Sequence, residues 1–421
     1  MAARGMSPNL GLNQLVAARQ AAGEQIIHLA FGEARLPVLP AMAEQLFLAA
    51  GDNAYGAVAG GLAVRTAAAG YFSRRDLSTD PEQVGLAPGS KALLLAVQMV
   101  VPGDVLIPRP AWNSYAPQAR YARKKVFGVP IGAQCGGAPD PTELRATIRR
   151  TRAAGDDPRI VILTLPDNPT GTLAPPALVR ELCAIAEEED LLIVSDEIYR
   201  DLVHDPALPY LSPAQIAPER TIVTSGLSKS LGLGGWRCGV ARFPAGPLGE
   251  SIRHDVLAFA SEAWSALAAP LQGATAFALS EPLVIRQRLA ASARLHGAVA
   301  RAVYDIVVGA GADCRPPSGG FYIYPDFEPL RARLASSGIT DSDSLQRHLF
   351  DRLGIAVLAG HLLGDDPGAL RFKAATSLLY GDTREQQQTA LDSADPARLP
   401  HIAEQLAVLE ESLGKLCGPR P

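Results

Sequence analysis

Five side chains whose types suit one reaction centre follow apolar, strand-like runs in this chain. In order they are Asn168, Asp196, Tyr199, Lys229 and Arg237. A lysine amine can form a Schiff base with an aldehyde and, once displaced, is free to act as a base. An arginine offers a planar fork of donors that suits phosphate oxygens. Because ligands bind outside the carboxyl ends of parallel strands, we expect the five side chains to meet at one edge of a sheet.

This order of residues resembles the class I/II aminotransferases, which are fold-type I enzymes of pyridoxal phosphate (PLP). The resemblance extends from Gly32 to Arg371, and its motifs are PDNPTG at 166–171, SDEIY at 195–199, SGLSK at 225–229 and GGWRCG at 234–239. It implies a PLP-dependent aminotransferase that moves an amino group between an L-amino acid and a 2-oxo acid through a Schiff base on Lys229.

The resemblance also implies a role for each member of the set. PLP stores the electrons of a carbanion formed at the substrate α-carbon. Lys229 would carry the cofactor and then move the α-proton, and Asp196 would pair with the pyridine nitrogen. Asn168 and Tyr199 would donate hydrogen bonds to the phenolic oxygen of the ring. Since Tyr199 follows Asp196 by three residues, a chain that turns off the strand end can aim both at one ring.

The cofactor phosphate requires donors and positive charge, which Arg237 and the Ser228 hydroxyl would supply. A third element is a strand end followed by an apolar helix pattern, because the N–H groups and dipole of a helix start form an anion site. Its residues are Gly89, Ser90 and Lys91. Position 226, often Ser or Thr in the family, is Gly226 here. One phosphate hydroxyl is therefore either missing or supplied by Ser225.

Four further residues match the family individually. Trp112 follows a strand-like run, where the family has an aromatic ring that stacks on the cofactor. Tyr55 resembles a tyrosine that reaches the phosphate of the neighbouring subunit, which implies a homodimer with shared active sites. Gly32, together with Asn168, is expected beside the substrate carboxylate. Arg371 corresponds to the arginine that clamps the substrate α-carboxylate.

The substrate side chain stays open, because three residues point in different directions. Lys91 matches a lysine that meets a distal carboxylate in some bacterial aspartate aminotransferases, or it is a solvated residue of the first helical turn. Arg35 stands where the family usually has an aspartate, and it favours an acidic substrate. Glu262 lies in a segment that the partner subunit often inserts into the site, and it favours a basic substrate.

Alternatives remain at two levels. Singly, each residue has an ordinary structural explanation: a lysine after a strand is usually solvated, and Asn168 opens a common type of turn. The same PLP site can also serve elimination, replacement, decarboxylation or cyclisation. A PLP-binding transcription regulator is a remote alternative, because some 30 residues precede Gly32 and they contain no basic helix-turn-helix pattern.

Composition narrows the class of protein. With 421 residues and 48% hydrophobic residues, the chain can bury a large core in two or three domains. A net charge of −4 gives no indication of nucleic-acid or membrane binding. The five cysteines are scattered and form no CxxC pair, which indicates reduced thiols in the cytoplasm and no metal site. The first residues lack the apolar core of a secretion signal.

Strand-like runs alternate with helical patterns from about residue 55 to 280, which predicts βαβ units and an α/β fold. We expect the fold-type I PLP-transferase architecture. Its large PLP-binding domain, at 49–292, would have a mainly parallel sheet sandwiched by helices. Residues 1–48 and 293–421 would form a small α/β domain. Near the end of the chain, helical spacing of apolar residues predicts a helix that packs on a core, through Ile402, Leu406, Leu409 and Leu413.

Overall fold

The computed structural model describes residues 8–132 and 134–418, so the amino-terminal segment examined for a secretion signal lies outside the described residues. The strands are β1 (Ile27–His28), β2 (Val84–Pro88), β3 (Asp104–Arg109), β4 (Val126–Pro130), β5 (Pro158–Thr164), β6 (Leu192–Asp196), β7 (Thr221–Gly226), β8 (Cys238–Arg242), β9 (Tyr322–Ile323), β10 (Ile355–Ala356), β11 (Leu358–Ala359) and β12 (Phe372–Ala375).

The α-helices are α1 (Pro8–Ala21), α2 (Pro40–Leu48), α3 (Leu62–Ser73), α4 (Ser90–Val100), α5 (Tyr115–Tyr121), α6 (Pro141–Ala153), α7 (Pro176–Glu188), α8 (Leu227–Ser230), α9 (Pro247–Ala263), α10 (Ala269–Ser280), α11 (Leu283–Gly309), α12 (Arg331–Ala335), α13 (Ser342–Leu353), α14 (Arg384–Asp392) and α15 (Pro400–Cys417). Within the described residues, no helix is long and apolar enough to cross a membrane.

A seven-stranded sheet with the order β2-β8-β7-β6-β5-β3-β4 forms the centre of the molecule. The five strands from β7 to β4 pair in parallel, whereas β8 pairs antiparallel with both β7 and β2. The predicted α/β fold with a mainly parallel sheet is therefore confirmed.

Helices cover both faces of this sheet because its inner strands are apolar on both sides. Along β5, Ile160 and Ile162 pack in a cluster with α4 and α9, while Val161 and Leu163 pack in a cluster with α6 and α7. Successive side chains of a strand point to opposite faces, so each face needs its own cover. The polar groups that could bind a ligand are thereby confined to the strand ends and loops.

A second core lies beside the large sheet. It contains the pair β1-β10 and the three-stranded antiparallel sheet β11-β12-β9. The side chains predicted to pack from the last helix are buried in this core, on α15: Ile402, Leu406, Leu409 and Leu413.

We propose that residues 49–292 form one domain and that 1–48 with 293–421 form the other. Helix α11 crosses the proposed boundary, since Ile285 packs with the large-sheet side whereas Leu295 packs in the second core. Met42 of α2 also packs on the large-sheet side, although it precedes residue 49. Helix α2 therefore contacts the large domain across the proposed boundary.

Candidate active site

A cavity of about 450 Å³ opens at the carboxyl ends of β5, β6 and β7 and at the start of α4. It brings together most of the residues that the sequence singled out, namely Gly32, Ser90, Lys91, Trp112, Asn168, Asp196, Tyr199, Ser228, Lys229 and Arg237. The pairing register explains the convergence, because Thr164, Asp196 and Thr224 lie side by side at the ends of three neighbouring strands.

Lys229 lies in α8, which begins directly after β7. Its Nζ donates a 2.6 Å hydrogen bond to the carbonyl oxygen of Gly32. Burial is the main reason that the pKa of the Lys229 ammonium is lowered to about 8, with Glu33 acting against the shift and the charges of Arg237 and Lys91 adding to it. An amine with this pKa is available as a nucleophile or a base near neutral pH.

The residue three positions before Lys229 is glycine for a steric reason. A Cβ atom built on Gly226 would lie 2.5 Å from the carbonyl oxygen of Cys238 on the neighbouring strand β8. Serine or threonine would therefore require the strands to move apart. Ser225 faces a separate small pocket lined by Tyr71, so it does not supply the missing hydroxyl to the cavity.

Asp196 ends β6 and is 3% exposed. Its carboxylate accepts hydrogen bonds from the Tyr115 hydroxyl at 2.8 Å and from the Thr224 hydroxyl at 3.3 Å. Burial nevertheless raises the pKa of Asp196 to about 6. Among the ion pairs of the described residues, none involves Asp196. A buried carboxylate in this position is suited to a cationic ligand group, such as a protonated ring nitrogen.

Asn168 and Tyr199 form a second polar group of the cavity. The Nδ2 of Asn168 donates to the Tyr199 hydroxyl at 3.4 Å, and that hydroxyl lies 2.7 Å from the hydroxyl of Tyr322. Burial holds the pKa of Tyr199 well above its usual value, so the phenol stays protonated and can donate. The Oδ1 of Asn168 is buried and has no partner within the described part of the chain. The Asn168 Oδ1 can therefore accept a hydrogen bond from a polar ligand.

The opposite end of the cavity is cationic. Gly89 precedes α4 with a φ of +87°, and a Cβ atom there would lie 2.2 Å from Nη2 of Arg237. This close approach brings the guanidinium to the start of the helix, where the first N–H groups have no partner within the helix. Lys91 is exposed, and its Nζ lies 5.0 Å from the centroid of the Trp112 ring. This arrangement suits a phosphate.

Among the predicted site residues, Gly89, Tyr55 and Arg371 do not line the cavity. Tyr55 is 97% exposed and points away from the protein surface. Arg371 lines a different cavity, where its Nε donates to Asp326 at 2.7 Å and its Nη1 lies 3.4 Å from Asp365. Within the described chain, two carboxylates therefore hold the Arg371 guanidinium beside a cavity other than that of Lys229, and its role at the substrate carboxylate stays a prediction.

Tyr322 and Lys373 are among the cavity residues that were not predicted as site residues. Tyr322, on β9, contacts Tyr199, and Lys373, on β12, is 1% exposed. One signal for Lys373 was present in the sequence, since it interrupts the apolar run at 372–375. Lysine is almost never fully buried without a partner.

The three residues that bear on the substrate side chain differ in whether they line the cavity. Lys91 lines the cavity, whereas the guanidinium of Arg35 pairs with Glu33 at 3.0 Å. Glu262 is exposed on α9 and accepts a hydrogen bond from Ser261. Within a single described chain, Arg35 and Glu262 therefore do not line the cavity, and Lys91 does.

Comparisons with known proteins agree with this geometry. Residues 24–378 match the sequence model of the family "aminotransferase class I and II". An aspartate/prephenate aminotransferase of Cereibacter sphaeroides is 32% identical over 375 residues, which cover 85% of this chain and 88% of that protein. One from Thermus thermophilus is 30% identical over 288 residues, covering 67% and 71%.

Solved structures show the same fold. The aspartate aminotransferase of Thermus thermophilus with maleate matches with a TM-score of 0.79 at 25% identity, covering 92% of this chain and 96% of that chain. An aromatic aminotransferase from Pyrococcus horikoshii matches with a TM-score of 0.75 at 23% identity, covering 95% and 99%. The cavity, the family match and the relatives lead to one conclusion: this chain belongs to the class I and II aminotransferase family and is an aminotransferase.

Proposed function

We propose that this aminotransferase binds PLP in the cavity at Lys229 and moves an amino group between an L-amino acid and a 2-oxo acid. The observation that carries the proposal is that Lys229, an amine with a lowered pKa, and Asp196, a buried carboxylate outside any ion pair of the described residues, line one cavity. PLP, when bound, supplies an electron sink for negative charge at the substrate α-carbon.

The side chains of the cavity fit this cofactor. Asp196 would hold a protonated pyridine nitrogen, since the carboxylate is buried outside any described ion pair. Asn168 and Tyr199 would donate to the phenolic oxygen, since the Asn168 amide has a second N–H and burial keeps the Tyr199 phenol protonated. Arg237 and Ser228, with the start of α4 after Gly89, would hold the phosphate. Trp112 would cover the ring.

Lys229 is the residue that would move the proton. Its pKa of about 8 lets Nζ exist as a free amine, which can accept the proton of the substrate α-carbon, and then as an ammonium, which can return that proton at another atom. The hydrogen bond from Nζ to the Gly32 carbonyl places the amine beside Gly32, a residue that packs closely on Tyr322.

We also propose that the enzyme is a homodimer in which Tyr55 reaches the partner's phosphate site. Apolar side chains are exposed on α2, α3 and the loop between them, namely Phe47, Leu48, Tyr55 and Leu62. Both helices pack on α10 and so share one side of the protein. A cluster of exposed apolar side chains is typical of a surface that another chain covers.

A half-reaction tests the proposed function. Purified protein with PLP and an amino acid, but no 2-oxo acid, should form pyridoxamine phosphate and one equivalent of 2-oxo acid, and then stop. Addition of pyruvate or 2-oxoglutarate should restart it. Lys229→Ala is the control and should not react. Continuous release of ammonia or carbon dioxide from the amino acid alone would instead identify an elimination or a decarboxylation.

The same assay resolves the substrate class. The relatives are named as aspartate and prephenate aminotransferases, and Lys91 lines the cavity. A panel that contains aspartate, glutamate, alanine, phenylalanine and arginine separates acidic, neutral, aromatic and basic side chains. Faster half-reactions with aspartate and glutamate would support a role of Lys91 in side-chain recognition.

A further inference from the structure

Lys373 is a buried cation in the wall of the cavity. It lies in β12, the middle strand of the three-stranded sheet, opposite Leu358 of β11. The side chain is 1% exposed, and it lines the same cavity as Lys229 and Tyr322. Its position is therefore fixed by the sheet, and its ammonium is accessible only through the cavity.

The Lys373 ammonium makes no hydrogen bond and no ion pair with any residue in the two described ranges. Its Nζ lies over the ring of Tyr322, 5.4 Å from the ring centroid. Lys124 shows the contrasting arrangement, since its Nζ donates to the carbonyl oxygens of Val101 and Gly103. An isolated buried ammonium is strongly unfavourable unless an anion compensates it. Without a ligand, burial therefore favours the neutral amine, and an anionic ligand group in the cavity would stabilise the ammonium.

Its neighbours indicate which anion this is. The cofactor phosphate is expected beside Arg237 and the start of α4, and neither of these is a recognised neighbour of Lys373. Lys373 instead contacts Tyr322, and Tyr322 in turn packs so closely on Gly32 that a Cβ atom there would lie 2.2 Å from the phenol oxygen. Gly32 is the residue expected beside the substrate carboxylate. Arg371, the other candidate, is already paired with Asp326 and Asp365.

We propose that the Lys373 ammonium binds the α-carboxylate of the substrate, the role that the family resemblance implies for Arg371. The proposal rests on the proposed function, because it concerns the amino acid that reacts at Lys229. It gives the substrate a compact, single-point cationic anchor in place of a two-pronged guanidinium. With its carboxylate held by Lys373, the substrate would present its α-carbon to Lys229, which moves the proton.

The test measures binding of carboxylates that do not react. Propionate, a monocarboxylate, and maleate, a dicarboxylate, are titrated by calorimetry into the PLP-loaded protein. Lys373→Met should raise the Kd of both by about 30-fold or more, because a carboxylate loses its buried partner. Lys373→Arg should restore most of the affinity. Lys125→Met is the matched control, since Lys125 is 67% exposed and pairs with Asp156, and it should leave both Kd values unchanged.

Each alternative outcome is distinguishable. Weakened maleate binding with unchanged propionate binding would assign Lys373 to a distal carboxylate and overturn the proposal. A larger loss in Arg371→Met than in Lys373→Met would return the role to Arg371. Unmutated protein that binds no PLP, or does not complete the half-reaction, would refute the proposed function itself.

A readout on the unmutated protein keeps the test independent of any folding defect in a variant. The titratable groups that face Lys373 are Lys229 on α8 and the neutral Tyr322 phenol on β9. Burial and, to a smaller extent, the charge of Lys229 lower the pKa of Lys373 to about 7. The Kd of propionate should therefore rise by about tenfold for each pH unit above about 7. This rise should disappear in Lys373→Arg, whose guanidinium stays charged. A pH profile identical in both proteins would contradict the proposal.

Discussion

Replacement of Lys373 by methionine should stabilise the cofactor-free protein. Burial, reinforced by Lys229, lowers the pKa of Lys373 from 10.5 to about 7. At a pH well below the folded pKa, this difference between the folded and unfolded pKa values lowers the free energy of unfolding by about 5 kcal/mol. At pH 7, where half of the folded molecules already hold Lys373 as a neutral amine, the penalty is about 4 kcal/mol. Methionine has a similar length and no charge, so Lys373→Met should recover a gain of this order.

The stabilisation by Lys373→Met should decrease as the pH rises. Between the folded pKa of about 7 and the unfolded pKa of 10.5, the unfolded chain binds one proton more at Lys373 than the folded protein does. Stability of the unmutated protein therefore rises with pH in this window, and the penalty falls to about 2 kcal/mol at pH 9. The advantage of Lys373→Met should shrink by about half from pH 7 to pH 9.

Urea unfolding followed by circular dichroism at both pH values is the assay, with Lys125→Met as the control for loss of an exposed lysine. The variant should unfold at a higher urea concentration at pH 7, and the difference should be smaller at pH 9. A variant that is less stable than the unmutated protein at pH 7 would show that Lys373 has a stabilising partner. A difference that does not change with pH would refute the argument from its titration.

Three further predictions concern the cofactor and the assembly. Gly89→Ala should lower PLP affinity by about 10- to 100-fold in a fluorescence titration, because a Cβ atom would displace the guanidinium of Arg237; unchanged affinity would separate Arg237 from the phosphate. Asp196→Asn should retain PLP but slow the stopped-flow half-reaction by about 100-fold or more, since the charge opposite the ring nitrogen is lost; a normal rate would contradict that role. Phe47→Glu should halve the mass in sedimentation equilibrium at micromolar concentration, and a dimer that persists would exclude this surface.

The part of the site that could be predicted from sequence is the part that the large sheet positions. Asn168, Asp196 and Lys229 each lie at or shortly after the end of one of three neighbouring parallel strands, so local patterns were sufficient to expect them together. Gly226 departs from the usual pattern, and the structure supplies the reason in the close approach of Cys238.

The part that sequence could not predict depends on contacts between distant segments. Arg371 pairs with Asp326, which is 45 residues away, and this pairing turns the guanidinium toward a different cavity. Lys373 stands in an apolar run, but its burial beside Lys229 depends on how the small sheet packs against the strand ends of the large one. Strand periodicity shows which side chains share a face of a sheet, but it does not show which other element packs against that face.

The most direct test of the account is to identify the lysine that carries PLP. Borohydride reduction of the PLP-loaded protein, followed by proteolysis and mass spectrometry, should find the pyridoxyl group on Lys229 alone. Lys229→Ala treated in the same way should carry none. A pyridoxyl group on Lys91 or Lys373 of the unmutated protein, or on no lysine, would contradict the assignment of the cavity and of the residue that performs the transfer.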